Sequence, residues 1–194
     1  MVQKIAVLDG HPDPDPQRLC HALADAYETG ARAAGHEVKR INIGQLDFPL
    51  LRTQAEFEGG SVAPDITSAQ ETVRWADHIL IVYPLWLGTM PALLKAFLEH
   101  VIRPGFAFEA NSKGWPAKLL KGRSARIVIT MGMPGLFYRW FFGAHSLKSL
   151  ERNILKFCGI SPIRETLFGM VEAVSDAKRS KWLAKMEALG GKSR

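Results

Sequence analysis

The chain predicts a doubly wound α/β domain, a five-stranded parallel sheet with helices on both faces. Strand-like and helix-like patterns alternate strictly along the chain, which in a compact domain implies parallel strands joined by crossover helices. The run His78-Ile-Leu-Ile-Val82 is apolar without alternation, as suits a strand covered on both faces. That run ends abruptly in Tyr83-Pro-Leu-Trp-Leu-Gly88, a short loop at the carboxyl end of a central strand, where open α/β sheets bind ligands.

The first strand is read at residues 4–8. A helix over 18–34 has Leu19, Leu23, Ala26 and Tyr27 at helical spacing, and Gly35 stops it. Residues 37–43 alternate and form the second strand. The connection 46–64 contains Pro49, Gly59, Gly60 and Pro64 and reads as long and mostly irregular. A helix over 66–76 follows, capped by Asp65 or Thr67, and then the third strand at 78–83. Pro84 lacks an N–H and is expected to stop the ladder, while Pro91 suits the opening turn of a helix over 92–102. A second excursion, 104–122, carries Gly105, Gly114, Trp115 and Pro116. The fourth strand at 125–130, a helix over 143–157 ending at Gly159, the fifth strand at 163–170 and a helix over 176–189 complete the pattern. No internal repeat or low-complexity tract divides it, so residues 1–194 are expected to form one domain. With five strands and no GxGxxG after the first, the expected strand order is the flavodoxin-like one.

Composition excludes several classes. The 47% hydrophobic content is ordinary for a globular chain, and the longest apolar runs are far too short to span a bilayer. The N-terminus runs straight into strand pattern without a signal-peptide layout, so the expected location is cytoplasmic. Cys20 and Cys158 form no CxxC pair and no metal spacing, and read as two reduced structural thiols. The net charge of +6 draws on Lys113, Lys118, Lys121, Arg123 and Arg126, and on a tail with Lys178, Arg179, Lys181, Lys185, Lys192 and Arg194. No nucleic-acid-binding motif accompanies it, so these are read as solvated faces that add a general pull on anionic dinucleotides.

Three loops at the carboxyl ends of strands one, three and four are expected to meet. The first is Gly10-His-Pro-Asp-Pro-Asp-Pro-Gln-Arg-Leu-Cys20, where His11, Gln17, Arg18, Leu19 and Cys20 lead into a helix. A helix N-terminus is an anion site, and Arg18 would add a charged fork. The alternative is that Arg18 is merely exposed and Asp15 caps the helix. The second comprises Pro84, Leu85, Trp86, Leu87 and Gly88, whose backbone amides and large apolar side chains suit a flat ligand with polar edges, such as a flavin ring. The third begins Thr130-Met131-Gly132 and runs through Tyr138 to His145. A tyrosine hydroxyl and an imidazole there would donate to a developing anion or shuttle a proton. Equally, His145 bonds backbone at a helix start, and Trp140, Phe141 and Phe142 serve as core or interface.

These stretches resemble the flavodoxin-like NAD(P)H:quinone oxidoreductase family, with its bacterial NAD(P)H dehydrogenase and potassium-efflux ancillary relatives. The match rests on strand one running into Gly10-His11-Pro12, on Pro84-Leu-Trp-Leu-Gly-Thr-Met-Pro-Ala-Leu-Leu-Lys95, on Gly105-Phe-Ala-Phe108, and on Thr130 to Tyr138 with His145. The resemblance implies a flavin with its phosphate end on residues 11–20. It implies a ring edge bonded by backbone of Leu85, Trp86 and Leu87, and a pyrimidine side near Thr130, Met131 and Gly132. It implies hydride transfer from NAD(P)H to flavin N5 and then to a quinone in ping-pong fashion, with Tyr138 and His145 stabilising charge on the reduced flavin. It also implies a homodimer with the site at the subunit interface.

The chain departs from the family in several places. Gln17 and Arg18 stand where a serine or threonine is usual, and Met131 and Met133 replace smaller residues that would leave the stacking face wider. The Tyr138 to His145 spacing is one residue longer than in mammalian-type members. The chain ends soon after the last helix, which favours FMN, with FAD left open. Two other functions remain open: a regulatory flavoprotein subunit of a membrane potassium-efflux transporter, and an electron carrier that does not oxidise NAD(P)H itself.

Overall fold

The structure is a computed structural model that describes residues 1–109, 114 and 116–193. Lys113, Trp115 and Arg194, named above for charge or for the second excursion, lie outside the described residues.

Five strands, β1 (Lys4–Asp9), β2 (Glu37–Asn42), β3 (His78–Pro84), β6 (Ser124–Met131) and β7 (Ile163–Gly169), form one parallel sheet in the order β2-β1-β3-β6-β7. The remaining two, β4 (Phe108–Glu109) and β5 (Ala117–Lys118), pair antiparallel within the second excursion. The sheet order is the flavodoxin-like one expected from the sequence, with its reversal between β1 and β3. Burial follows position. Every residue of the central strand β3 is buried, whereas the edge strands β2 and β7 are fully buried at only two positions each.

Helices α1 (Leu19–Ala33) and α8 (Asp176–Gly190) cover one face, with Leu23, Ala24, Tyr27 and Met186 packed on Ile5, Val7, Leu80, Val82 and Val128. On the other face, α3 (Pro64–Trp75) and α4 (Ala92–Val101) bury Ile66, Val73, Leu94 and Phe97 against Ala6, Leu8, Ile79 and Ile81. Alternation along β6 sends Ala125, Ile127, Ile129 and Met131 to this second layer and Val128 to the first.

The structure corrects the sequence reading at several boundaries. The connection after β2 holds a helical turn, α2 (Gln54–Gly59), whose N-cap Thr53 accepts from the Glu56 N–H. Pro64 occupies the first turn of α3 and Ala63 the cap, so neither Asp65 nor Thr67 caps it. Asp65 instead accepts the Asp47 N–H at 2.8 Å. Pro84 does not stop the ladder. It pairs with Thr130, and Leu85 N–H donates to the Thr130 carbonyl at 2.7 Å. A short helix, α5 (Gly135–Trp140), stands where no helix was expected. The helix read at 143–157 begins only at α6 (His145–Lys148), because Ala144 is left-handed at φ +49°. It continues through a π-helical segment (Ser149–Leu155) into α7 (Lys156–Cys158).

The α1–α8 crossing is a backbone contact. A Cβ on Gly30 would meet the Glu187 carbonyl at 1.9 Å, and one on Gly190 would meet the Tyr27 carbonyl at 1.9 Å. Gly30→Ala is therefore expected to push the helices apart and lower stability by about 1–3 kcal/mol, measured by urea denaturation.

Candidate functional site

The carboxyl ends of β1, β3 and β6 lie side by side, and the three loops leaving them converge. The loop after β3 is a two-residue hairpin. Trp86 N–H donates to the Thr89 carbonyl at 2.9 Å and Thr89 N–H returns to Trp86 at 3.0 Å. Leu87 and Gly88 at its tip both take positive φ, +48° and +78°. Leu87 is fully solvent-facing and Trp86 is 48% exposed, so the tip presents apolar surface to solvent. A side chain at Gly88 would meet nothing within 4 Å, so glycine is needed there for its backbone angle rather than for space. The Leu85 and Trp86 amides are engaged within the protein. Among the described residues, no protein acceptor takes the amides of Leu87, Gly88 or Gly132.

Cys20 Sγ and Thr130 Oγ1 lie 3.3 Å apart, joining the start of α1 to the end of β6. Burial pushes the Cys20 thiol up to about 12. Met131 is buried in the second core layer, so it does not narrow the ligand face as the sequence suggested. Gly132 is exposed, with open space where a Cβ would stand.

The loop after β1 is organised by its own side chains. Pro12, Pro14 and Pro16 have no N–H to offer. The intervening amides are each taken by the residue two positions back. His11 N–H goes to Asp9 Oδ1 at 3.3 Å, and Asp13 N–H to His11 Nδ1 at 3.1 Å. Asp15 N–H goes to Asp13 Oδ1 and Gln17 N–H to Asp15 Oδ1, both at 3.0 Å. The Arg18 guanidinium is clamped on Asp13 at 2.6 Å and reaches Asp15 at 3.4 Å. Arg18 is the N-cap of α1 but contributes no side-chain cap bond, so the Leu19 and Cys20 amides have no protein acceptor among the described residues. Asp15 does not cap the helix, since it accepts the Gln17 N–H within the loop, and Arg18 is exposed as one reading expected but paired with Asp13 and Asp15.

Residues that the sequence reading passed over anchor this loop. Asp9 is buried at the end of β1, where its carboxylate meets the Arg40 guanidinium at 2.7 Å and the His21 imidazole. Arg40 also pairs with Asp25. Gly44 packs under the loop, for a Cβ there would stand 2.6 Å from the Pro12 carbonyl. These groups line a cavity of about 280 Å³ between the loop and the end of β2. A polar residue closing the apolar strand Lys4–Asp9 was the available signal. Its partners lie too far along the chain for local pattern to find. Burial lowers the His11 pKa, and the ring meets Trp86 edge-on at 5.8 Å, linking the first loop to the second.

Tyr138 and His145 occupy different environments. Tyr138 is buried, its hydroxyl accepts the Leu147 N–H at 3.1 Å, and burial raises its pKa. Ser146 lies within electrostatic reach of the Tyr83 and Tyr138 hydroxyls, but no partner reaches hydrogen-bond geometry with Ser146 Oγ among the described residues. His145 is exposed and folds back over Gly143. Leu136, Trp140 and Phe141 are largely exposed, and Phe137 and Phe141 stack at 4.7 Å.

A family model described as flavodoxin-like fold matches residues 3–189. The chain belongs to the flavodoxin-like fold family. It is 28% identical over 177 residues to an "Uncharacterized NAD(P)H oxidoreductase" of Haemophilus influenzae, covering 89% of this chain and 87% of that one. It is 29% identical over 143 residues to the human "Ribosyldihydronicotinamide dehydrogenase [quinone]", covering 69% of this chain and 59% of that one. An "FMN-dependent NADH:quinone oxidoreductase" of Ruegeria pomeroyi is 27% identical over 128 residues, 58% of this chain and 63% of its own. The chain thus spans less than two thirds of the length of these last two relatives. Among solved structures, Smu.1420 of Streptococcus mutans superposes with a TM-score of 0.79 at 26% identity, covering 97% of this chain and 98% of that one. No helix among the described residues is long and apolar enough to cross a membrane.

Both cysteines are free and buried, with thiols held at about 12. Iodoacetamide at pH 8 is expected to leave both unmodified in the folded protein and to label both in urea, as read by intact mass.

Proposed function

We propose that this protein is a flavin-dependent NAD(P)H oxidoreductase acting on quinones or similar acceptors. The observation that carries the reading is the convergence of three loops at the sheet's switch point, where the loop with the exposed Trp86-Leu87 tip and the loop opening at Gly132 leave the paired ends of β3 and β6. Relatives named as NAD(P)H and quinone oxidoreductases support it. The ring part of the site fits a flavin, because apolar surface and acceptor-free amides at Leu87, Gly88 and Gly132 suit a flat ligand with polar edges. FMN is the proposed cofactor, supported by the FMN-dependent relative. Bound flavin supplies the redox chemistry that couples NAD(P)H and a proton plus quinone to NAD(P)⁺ and hydroquinone.

The chain's own residues bind and orient. Pro84, Leu85, Trp86, Leu87 and Gly88 hold one ring edge, Thr130, Met131 and Gly132 supply backbone to the other, and His11, Gln17, Arg18, Leu19 and Cys20 face the ribityl end. His145, exposed at the start of α6, is the group proposed to stabilise negative charge as it develops. Tyr138 positions it: by accepting the Leu147 N–H, the buried hydroxyl pins the first turn of α6, on which His145 stands. A homodimer is proposed, supported by the exposed Leu136, Trp140 and Phe141 beside this segment.

NADPH oxidation with a soluble benzoquinone tests the activity, and parallel double-reciprocal lines are expected. His145→Gln should slow flavin reduction by about 10²-fold while flavin remains bound, and Tyr138→Phe by less. Unchanged stopped-flow reduction in both variants would remove the pair from the mechanism. Trp140→Glu with Phe141→Glu should convert a dimer to a monomer in sedimentation velocity, and a wild-type monomer would contradict the assembly.

A further inference from the structure

In the loop after β1, the proline N–H groups are missing and the amides of Asp13, Asp15 and Gln17 are filled by His11, Asp13 and Asp15. Asp13 stays ionised, because the Asp15 N–H and then the Arg18 guanidinium hold its carboxyl below the usual carboxylate range. Arg18, the cation best placed for a phosphate, is paired with Asp13 and Asp15. His11 Nδ1 faces both the N–H and the carbonyl of Asp13, and burial favours its neutral form. His21 faces Asp9 and the Asp13 carbonyl, and Arg40 faces Asp9 and Asp25. The loop that would face a flavin phosphate is therefore occupied by the protein's own carboxylates. Among the described backbone amides of this loop, those of Leu19 and Cys20 are left for an incoming phosphate, which would approach a loop already carrying two carboxylates.

We propose that Asp13 and Asp15 are specificity-determining residues that stand in for the phosphate, so that this protein holds a flavin mainly through its ring and gains little from a 5′-phosphate. The inference rests on the flavin reading above and adds a ligand class, flavins without a phosphate, to it. Riboflavin and FMN are then near-equal ligands, and cofactor retention does not depend on a phosphate anchor.

The test is binding of FMN and of riboflavin to the full chain freed of flavin, followed by quenching of flavin fluorescence. Wild-type dissociation constants within about tenfold of each other are expected, since the charge-assisted bonds that favour FMN are already made internally. Asp13→Ala with Asp15→Ala frees the amides and Arg18, and should tighten FMN by about tenfold or more while riboflavin shifts little. Asp13→Asn with Asp15→Asn keeps the loop's acceptors and so its fold. It removes only charge, and should tighten FMN by a smaller factor. Wild-type preference for FMN well beyond tenfold, or FMN affinity unchanged in both variants, overturns the proposal. Binding of neither flavin to the wild type would instead overturn the flavin reading on which it stands.

Discussion

The pairing of β1, β3 and β6 as buried, parallel neighbours governs everything at the candidate site. Register sets Asp9 beside Val82, and Pro84 beside Thr130, so three chain segments leave the sheet together at one edge. Leu85 N–H on the Thr130 carbonyl carries this order one residue past the strand, and the Cys20–Thr130 contact brings the start of α1 to the same place. Both depend on strands with no solvent face, since a one-residue slip would turn each strand's side chains to the wrong layer.

Much of this was legible because it is local. The unbroken apolar run before Tyr83 identified the central strand, and Leu19, Leu23 and Tyr27 identified the helix beside it. The Tyr83 to Gly88 segment was recognisable from its position as a loop leaving the carboxyl end of a central strand. What local pattern missed depends on distant partners. Asp9 looks like a strand-end polar residue until Arg40 and His21 are folded against it. Met131 looks like an obstruction until strand alternation turns it into the core. Helix α5 escaped notice because it is only six residues long, with Pro134 at its N-cap and Gly135 as its first residue. Pro84 shows the limit of a residue rule: it lacks a donor, but the ladder passes to the next amide.

The two halves of the candidate site obey different chemistry. The hairpin at Trp86–Thr89 and the backbone at Gly132 leave apolar surface and acceptor-free amides, which suit a planar ring. The loop of alternating prolines and acids satisfies its own donors and neutralises its own arginine. A protein with net charge +6 thus carries two carboxylates, Asp13 and Asp15, in the loop that leads into α1, each already bonded to a loop amide.

The most direct measurement is the visible spectrum of the freshly purified protein, before and after anaerobic addition of NADPH. The account predicts a flavin band that bleaches directly to the two-electron reduced form, joining cofactor and electron donor in one site. A protein that shows no flavin band, even after incubation with FMN or riboflavin, would contradict it and leave the three converging loops without their ligand.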